Sequence, residues 1–127
     1  MVIEGLYYTN EHEWLKLEGE TATVGITDYA QNALGEITFI ELPIVGKKVE
    51  KHGELAVIES SKAASEVYSP VAGEIVQAND SLDSEPELIN KGCYEKGWIC
   101  KLKVDSADVV KELMDSAAYQ EYLSGID

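Results

Sequence analysis

Apolar residues in the first hundred positions fall in short runs broken by glycine, proline and acidic turns, the pattern of β-strands rather than of long helices. Tyr7-Tyr8, Trp14 to Leu17 and Thr21 to Ile26 read as strands, with Glu18-Gly19-Glu20 as a hairpin turn between the latter two. A short helix is expected next, capped by Asp28 with Gln31 reaching back and stopped by Gly35. Strands resume at Ile37 to Leu42, around Val49 to His52, at Leu55 to Ile58, at Val67-Tyr68, at Glu74 to Ala78 and at Trp98 to Val104. Between the last two, Ser84-Glu85-Pro86-Glu87 has the form of a capping box leading into Leu88-Ile89-Asn90.

From Ser106 the period changes. Val110, Leu113, Met114 and Ala117 share one helical face, Tyr119 and Leu123 continue the stripe, and Gly125 is the expected stop. The fold class that follows is mainly β, a flattened barrel or sandwich with short helices and a C-terminal helical segment over residues 106–124 packed on the β core. With 127 residues the expectation is a single domain over 1–127.

Charge narrows the choice of partners. Ten basic against 24 acidic side chains give a net charge of −14, which repels nucleic-acid phosphates and anionic lipids. No apolar run approaches the roughly 20 residues of a membrane span, and Met1-Val2-Ile3-Glu4-Gly5 carries no targeting pattern. A bacterial-type cytoplasmic location is therefore expected, or the mitochondrial matrix for a processed organellar form. Cys93 and Cys100 form no C-x-x-C pair and are read as two reduced, buried thiols.

Most chemistry is without a motif. There is no G-x-G-x-x-G or P-loop for phosphate, Ser60 and Ser61 lack nucleophile-elbow surroundings, and His12 and His52 have no third ligand at metal-site spacing. Trp14 and Trp98 are read as packing residues. The exception is the stretch from Glu59 to Glu74, where an apolar approach, a polar bend and a Pro70/Gly73-punctuated return set Lys62 at a hairpin tip. A single lysine presented this way has the form of a covalent attachment point.

The residues around it resemble the H protein of the glycine cleavage system, a lipoyl-bearing carrier of the lipoyl/biotinyl-domain type, a barrel-sandwich hybrid. The likeness rests on an ordered set: His12-Glu13-Trp14, Val24 to Gln31, Leu34-Gly35-Glu36, Phe39 to Pro43, Glu59 to Glu74, Pro86 to Asn90 and Gly97-Trp98. The chain departs from it at Ala33, where some members carry histidine, at Ser61, where valine is usual, and at Cys93, where proline is common.

The resemblance implies lipoate joined as an amide to Lys62, in a carrier that is not itself an enzyme. It also implies the traffic: an aminomethyl group taken from a pyridoxal-phosphate glycine decarboxylase to an aminomethyltransferase, and a dithiol presented to a flavin-dependent dihydrolipoyl dehydrogenase, after lipoyl-attaching enzymes have modified the lysine. A lysine ammonium is charged and poorly nucleophilic at neutral pH, so the attached group and not the lysine carries the reactivity. Such a carrier shelters its loaded arm from water. Glu13, with Glu66, is the candidate lining of that cleft, though among 24 acids an incidental surface carboxylate is an equal reading of Glu13.

Alternatives from neighbouring classes are a carrier donating lipoyl groups to other enzymes and a biotin carrier. The latter flanks its lysine with methionines, whereas Ser61 and Ala63 stand here.

Overall fold

A computed structural model describes residues 2–126. Its elements are β1 (Tyr7–Tyr8), β2 (Glu13–Glu18), β3 (Thr21–Ile26), α1 (Asp28–Leu34), β4 (Ile37–Glu41), β5 (Lys48–Val49), β6 (Glu54–Ser60), β7 (Ala64–Tyr68), β8 (Gly73–Ala78), α2 (Ser81–Ser84), α3 (Leu88–Gly92), β9 (Cys100–Lys103), a 3₁₀ turn (Ala107–Glu112) and α4 (Ser116–Ile126). The strands make two antiparallel sheets, one of six strands in the order β1-β2-β3-β9-β8-β5 and one of three in the order β4-β6-β7. Mainly β with short helices is thus the architecture, as expected.

The sheets enclose one apolar cluster. Leu15, Val24 and Ile26 from β2 and β3, Leu102 from β9 and Ile75 from β8 face Ile37, Ile40, Leu55 and Ile58 from the smaller sheet, all buried. Each such side chain removed from water contributes about 1.5–3 kcal/mol, which is what holds two sheets joined by few backbone bonds face to face. A second cluster gathers Leu6, Tyr8, Trp14 and Tyr119 at the β1 end, where Tyr8 and Tyr119 stack with centroids 4.5 Å apart. Trp14 Nε1–H donates to the Cys93 carbonyl at 2.9 Å, so the indole's one polar atom is satisfied in the interior.

Three local expectations are corrected. The cap of α1 is Thr27, whose Oγ1 accepts from Ala30 N–H; Asp28 is the first helical residue and accepts instead from the Gln31 amide. Thr27 is fully buried and takes the cap because its hydroxyl is anchored from the far side as well, by Tyr119. The Ser84 capping box does not form: Ser84 ends α2, and α3 starts after Glu87 with no side-chain cap. Pro86 disfavours helical geometry at Glu85, which separates the two short helices. The last strand begins at Cys100, not Trp98.

The C-terminal segment is not one helix. A 3₁₀ turn capped by Ser106 carries Val109 and Val110 against the main core, and the chain then straightens so that Met114 and Tyr8 exchange backbone bonds at 2.8 and 2.9 Å. That bridge consumes the N–H and C=O a continuous helix would need. α4 starts beyond it and runs through Gly125, which therefore is not the stop. No helix among the described residues is long and apolar enough to cross a membrane.

Candidate functional site

Lys62 occupies the bend 61–63 between β6 and β7, whose register runs from Glu54↔Tyr68 to Glu59↔Ala64. The bend is braced by Ser60. Its Oγ accepts from Lys62 N–H at 3.2 Å and Ala63 N–H at 3.1 Å, and Ser60 N–H donates to the Ala63 carbonyl at 2.8 Å. A serine hydroxyl satisfying two consecutive amides closes a bend that offers too few backbone partners of its own. Ser61 N–H donates to the Glu36 carbonyl, tying the bend to the residue after Gly35. Lys62 itself is exposed, and among the described residues its ammonium has no hydrogen-bond or ion-pair partner. Its aliphatic end lies over Gly35, close enough that a Cβ there would stand 2.9 Å from Cε.

Alongside this hairpin runs a cleft of about 180 Å³. Its walls come from Glu11, His12 and Glu13 leading into β2, Tyr29, Ala30, Ala33 and Leu34 on α1, and Ser65, Glu66 and Val67 on β7, with Ile26 of β3 and Ile58 of β6 beneath. The structure thus brings Glu13 and Glu66 together in one cavity. Lys62 is not part of the wall; it stands over the residue that follows Leu34.

The two carboxylates differ in setting. Glu13 is 3% exposed, with Oε1 accepting from the Thr9 hydroxyl at 2.7 Å and Oε2 from Tyr68 N–H at 3.1 Å. The incidental-surface reading of Glu13 is therefore set aside. Burial pushes its carboxyl up to about 7, the bonds from Thr9 and Tyr68 pull it back, and nearby Glu11 adds to the rise. Glu66 is exposed and accepts from the Tyr68 hydroxyl at 2.6 Å. Neither has an ion-pair partner among the described residues.

Sequence reasoning missed the supports. Thr9 accepts from Glu11 N–H and Glu13 N–H through the same oxygen that donates to the Glu13 carboxylate, so one side chain both forms the turn and aims the acid. The T-x-x-x-E spacing was visible, but nothing local says that the carboxylate turns inward. His12 holds φ 68, its Nδ1 2.7 Å from the Tyr119 hydroxyl of α4.

An aliphatic arm ending in a cation fits this donor set. Ile26, Ala30, Ala33, Leu34, Ile58 and Val67 supply an apolar lining, and buried and exposed carboxylates supply acceptors without competing cations. The exposed Lys62 stands outside the cavity.

The family model described as glycine cleavage H-protein matches residues 6–126. A glycine cleavage system H protein of Beijerinckia indica is 51% identical over 116 residues, covering 91% of this chain and 94% of that protein. A probable glycine cleavage system H protein of Thermococcus gammatolerans is 54% identical, covering 98% and 94%. The crystal structure of a glycine cleavage system H protein from Mycobacterium marinum superposes with a TM-score of 0.88 at 29% identity, over 97% of this chain and 99% of that one. The chain belongs to the glycine cleavage H-protein family, the non-catalytic lipoyl carriers of the glycine cleavage system.

Proposed function

We propose that Lys62 is the residue that carries the lipoyl group, and that the cleft lined by Glu13 and Glu66 shelters the loaded end of the arm. The observation that carries this reading is a single unpartnered lysine on a serine-braced bend beside a cleft with two unpaired carboxylates. When bound, the lipoyl group supplies the reactive element, a strained cyclic disulfide open to carbon nucleophiles.

The chain's own residues supply position and shelter. Amide formation removes the Lys62 charge and leaves the bend held by Ser60, so the arm departs from a defined point. Glu13 and Glu66 accept hydrogen bonds from a cationic end, and the apolar lining keeps water from it. An ammonium beside Glu13 holds that acid ionised, which converts a costly buried carboxylate into half of a pair.

The partners of this reading are the pyridoxal-phosphate glycine decarboxylase, the aminomethyltransferase and dihydrolipoyl dehydrogenase, with lipoyl-attaching enzymes acting first on Lys62. A tether replaces repeated encounters of a free cofactor with a docking step and a local search. The two buried free thiols, Cys93 and Cys100, suit a reducing compartment such as the cytoplasm, or the mitochondrial matrix for an organellar form.

Intact mass measurement with peptide mapping of the native-source protein tests the attachment, and glycine–bicarbonate exchange with the decarboxylase tests the role. A lipoyl adduct on Lys62 and loss of exchange in Lys62→Arg are expected. An adduct elsewhere, or exchange undiminished by the arginine, overturns the proposal.

A further inference from the structure

His12 stands at φ 68, a left-handed conformation uncommon outside glycine and adopted most readily among other residues by asparagine, aspartate and histidine. What the ring does there is visible in its contacts. It stacks on Tyr29 of α1 at 4.3 Å between centroids, meets Tyr119 of α4 edge-on at 5.8 Å, and lines the cleft next to Glu13.

The hydrogens behind it can be counted. Thr27 is fully buried, and its Oγ1 accepts from Ala30 N–H and lies 2.9 Å from the Tyr119 oxygen. The Thr27 hydroxyl proton has no other acceptor among its bonded neighbours, so it goes to Tyr119. Tyr119 must then give its own proton to His12 Nδ1, 2.7 Å away. The relay runs Thr27 to Tyr119 to His12 and leaves the ring protonated at Nε2. Burial keeps His12 and Tyr119 neutral, lowering the His12 pKa and pushing Tyr119 up to about 12. Among the described residues Nε2 itself has no partner.

We infer that His12 is a positioning residue of the cleft whose Nε2–H is a fixed donor to an acceptor atom of the seated arm, a sulfur or an amide oxygen, and that Tyr119 of α4 holds it in that role. The inference rests on the cleft being the arm's shelter. It completes the chemistry of the site: Glu13 and Glu66 take a cationic end, and the imidazole N–H takes the electron-rich atoms that carboxylates repel. It also gives α4 a part in the carrier. The same threonine caps α1, so the helix that forms one cleft wall, the strained turn that forms another and the C-terminal helix share one hydrogen-bond chain.

Two measurements test it. Long-range proton–nitrogen NMR of the unlipoylated protein reads the imidazole tautomer: the Nε2–H form is expected in the wild type and a mixture in Tyr119→Phe, which keeps the ring stack on Tyr8. On loaded lipoyl protein, spontaneous loss of the carried one-carbon group is expected to rise about three- to ten-fold in Tyr119→Phe and in His12→Asn, the equivalent of one hydrogen bond. Asparagine tolerates the left-handed backbone, so the second variant keeps the turn.

An Nδ1–H wild-type ring overturns the inference, and so does an unchanged loss rate in both variants. Glu13→Gln in the same release assay separates the two readings. If it too leaves the rate unchanged, the shelter itself fails; if it alone accelerates loss, only the part given to His12 fails.

Discussion

The Lys62 side chain lies across Gly35, and a Cβ built on that glycine would stand 2.9 Å from the lysine Cε. Two consequences of different size meet there. The steric one is small, since the lysine end is flexible and swings away. The backbone one is not: Gly35 sits at φ 81, ψ −152, a region essentially reserved for glycine, and it closes α1 by donating to the Gln31 carbonyl. Gly35→Ala is expected to cost about 1–3 kcal/mol of stability while Lys62 still accepts a lipoyl group. Thermal melts with a lipoylation assay check this. Failure to lipoylate in a variant that melts normally would show that the glycine orients the lysine.

The pH dependence of Glu13 has a definite sign. Its carboxyl is raised by burial to about 7 from an ordinary 4.5, so the folded state binds the proton more tightly than the unfolded one. The stability it contributes is complete below pH 4.5 and is lost as pH rises through 7. At about 1.4 kcal/mol per pH unit the change approaches ~3 kcal/mol. Denaturation of the wild type and Glu13→Gln across that range isolates it, because glutamine keeps the shape and does not titrate. The wild-type advantage should fall through the window and level off above it; a flat difference would mean that the carboxyl is not desolvated.

In the proposed shelter a loaded arm reverses the preference. An ammonium seated beside Glu13 holds the carboxylate ionised, so retention of the carried group should weaken as pH falls below about 7, where protonation removes the anion. The release rate from loaded protein measures it, and a rate independent of pH around 7 would remove Glu13 from the shelter.

Much of this was legible in the residues, and what was not has a common cause. The Lys62 bend could be read because an apolar approach, a polar interruption and a Pro70/Gly73 return are all local. The acid pair could be named but not evaluated: the burial of Glu13 depends on a Tyr68 amide 55 residues away. The C-terminal stripe looked like one helix because Val110, Leu113 and Met114 keep helical spacing, yet the bond that breaks it comes from Tyr8. The cap of α1 went to Thr27 rather than its neighbour Asp28 for the same reason, since Tyr119 anchors the threonine from 92 positions on. Periodicity reports which face is apolar; it does not report which distant group claims a backbone amide or a hydroxyl.

Trp14 and Gly25 face each other across β2 and β3, and a Cβ on Gly25 would fall 2.7 Å from the indole atoms Nε1, Cε2 and Cζ2. Unlike the lysine over Gly35, this indole is buried and cannot swing aside without giving up its bond to the Cys93 carbonyl. Gly25→Ala should cost about 1–3 kcal/mol for overpacking, plus ~1 kcal/mol for the strained hydrogen bond. Tryptophan fluorescence and a melt read both effects, and an unshifted Tm would mean that the second cluster is looser than its burial implies.

Ser60→Ala tests whether the bend or merely the lysine matters. The hydroxyl accepts from two amides, Lys62 and Ala63, and both lie at the exposed tip, so their loss is compensated by water and the global Tm should move little. What changes is order. The Lys62 and Ala63 amides should exchange faster with solvent, and the attaching enzyme, which must find one lysine in one orientation, should modify the variant a few-fold more slowly. Ser60→Thr retains the oxygen and should restore both. If alanine speeds amide exchange yet leaves lipoylation untouched, the attaching enzyme reads the lysine and not the shape of the turn that presents it.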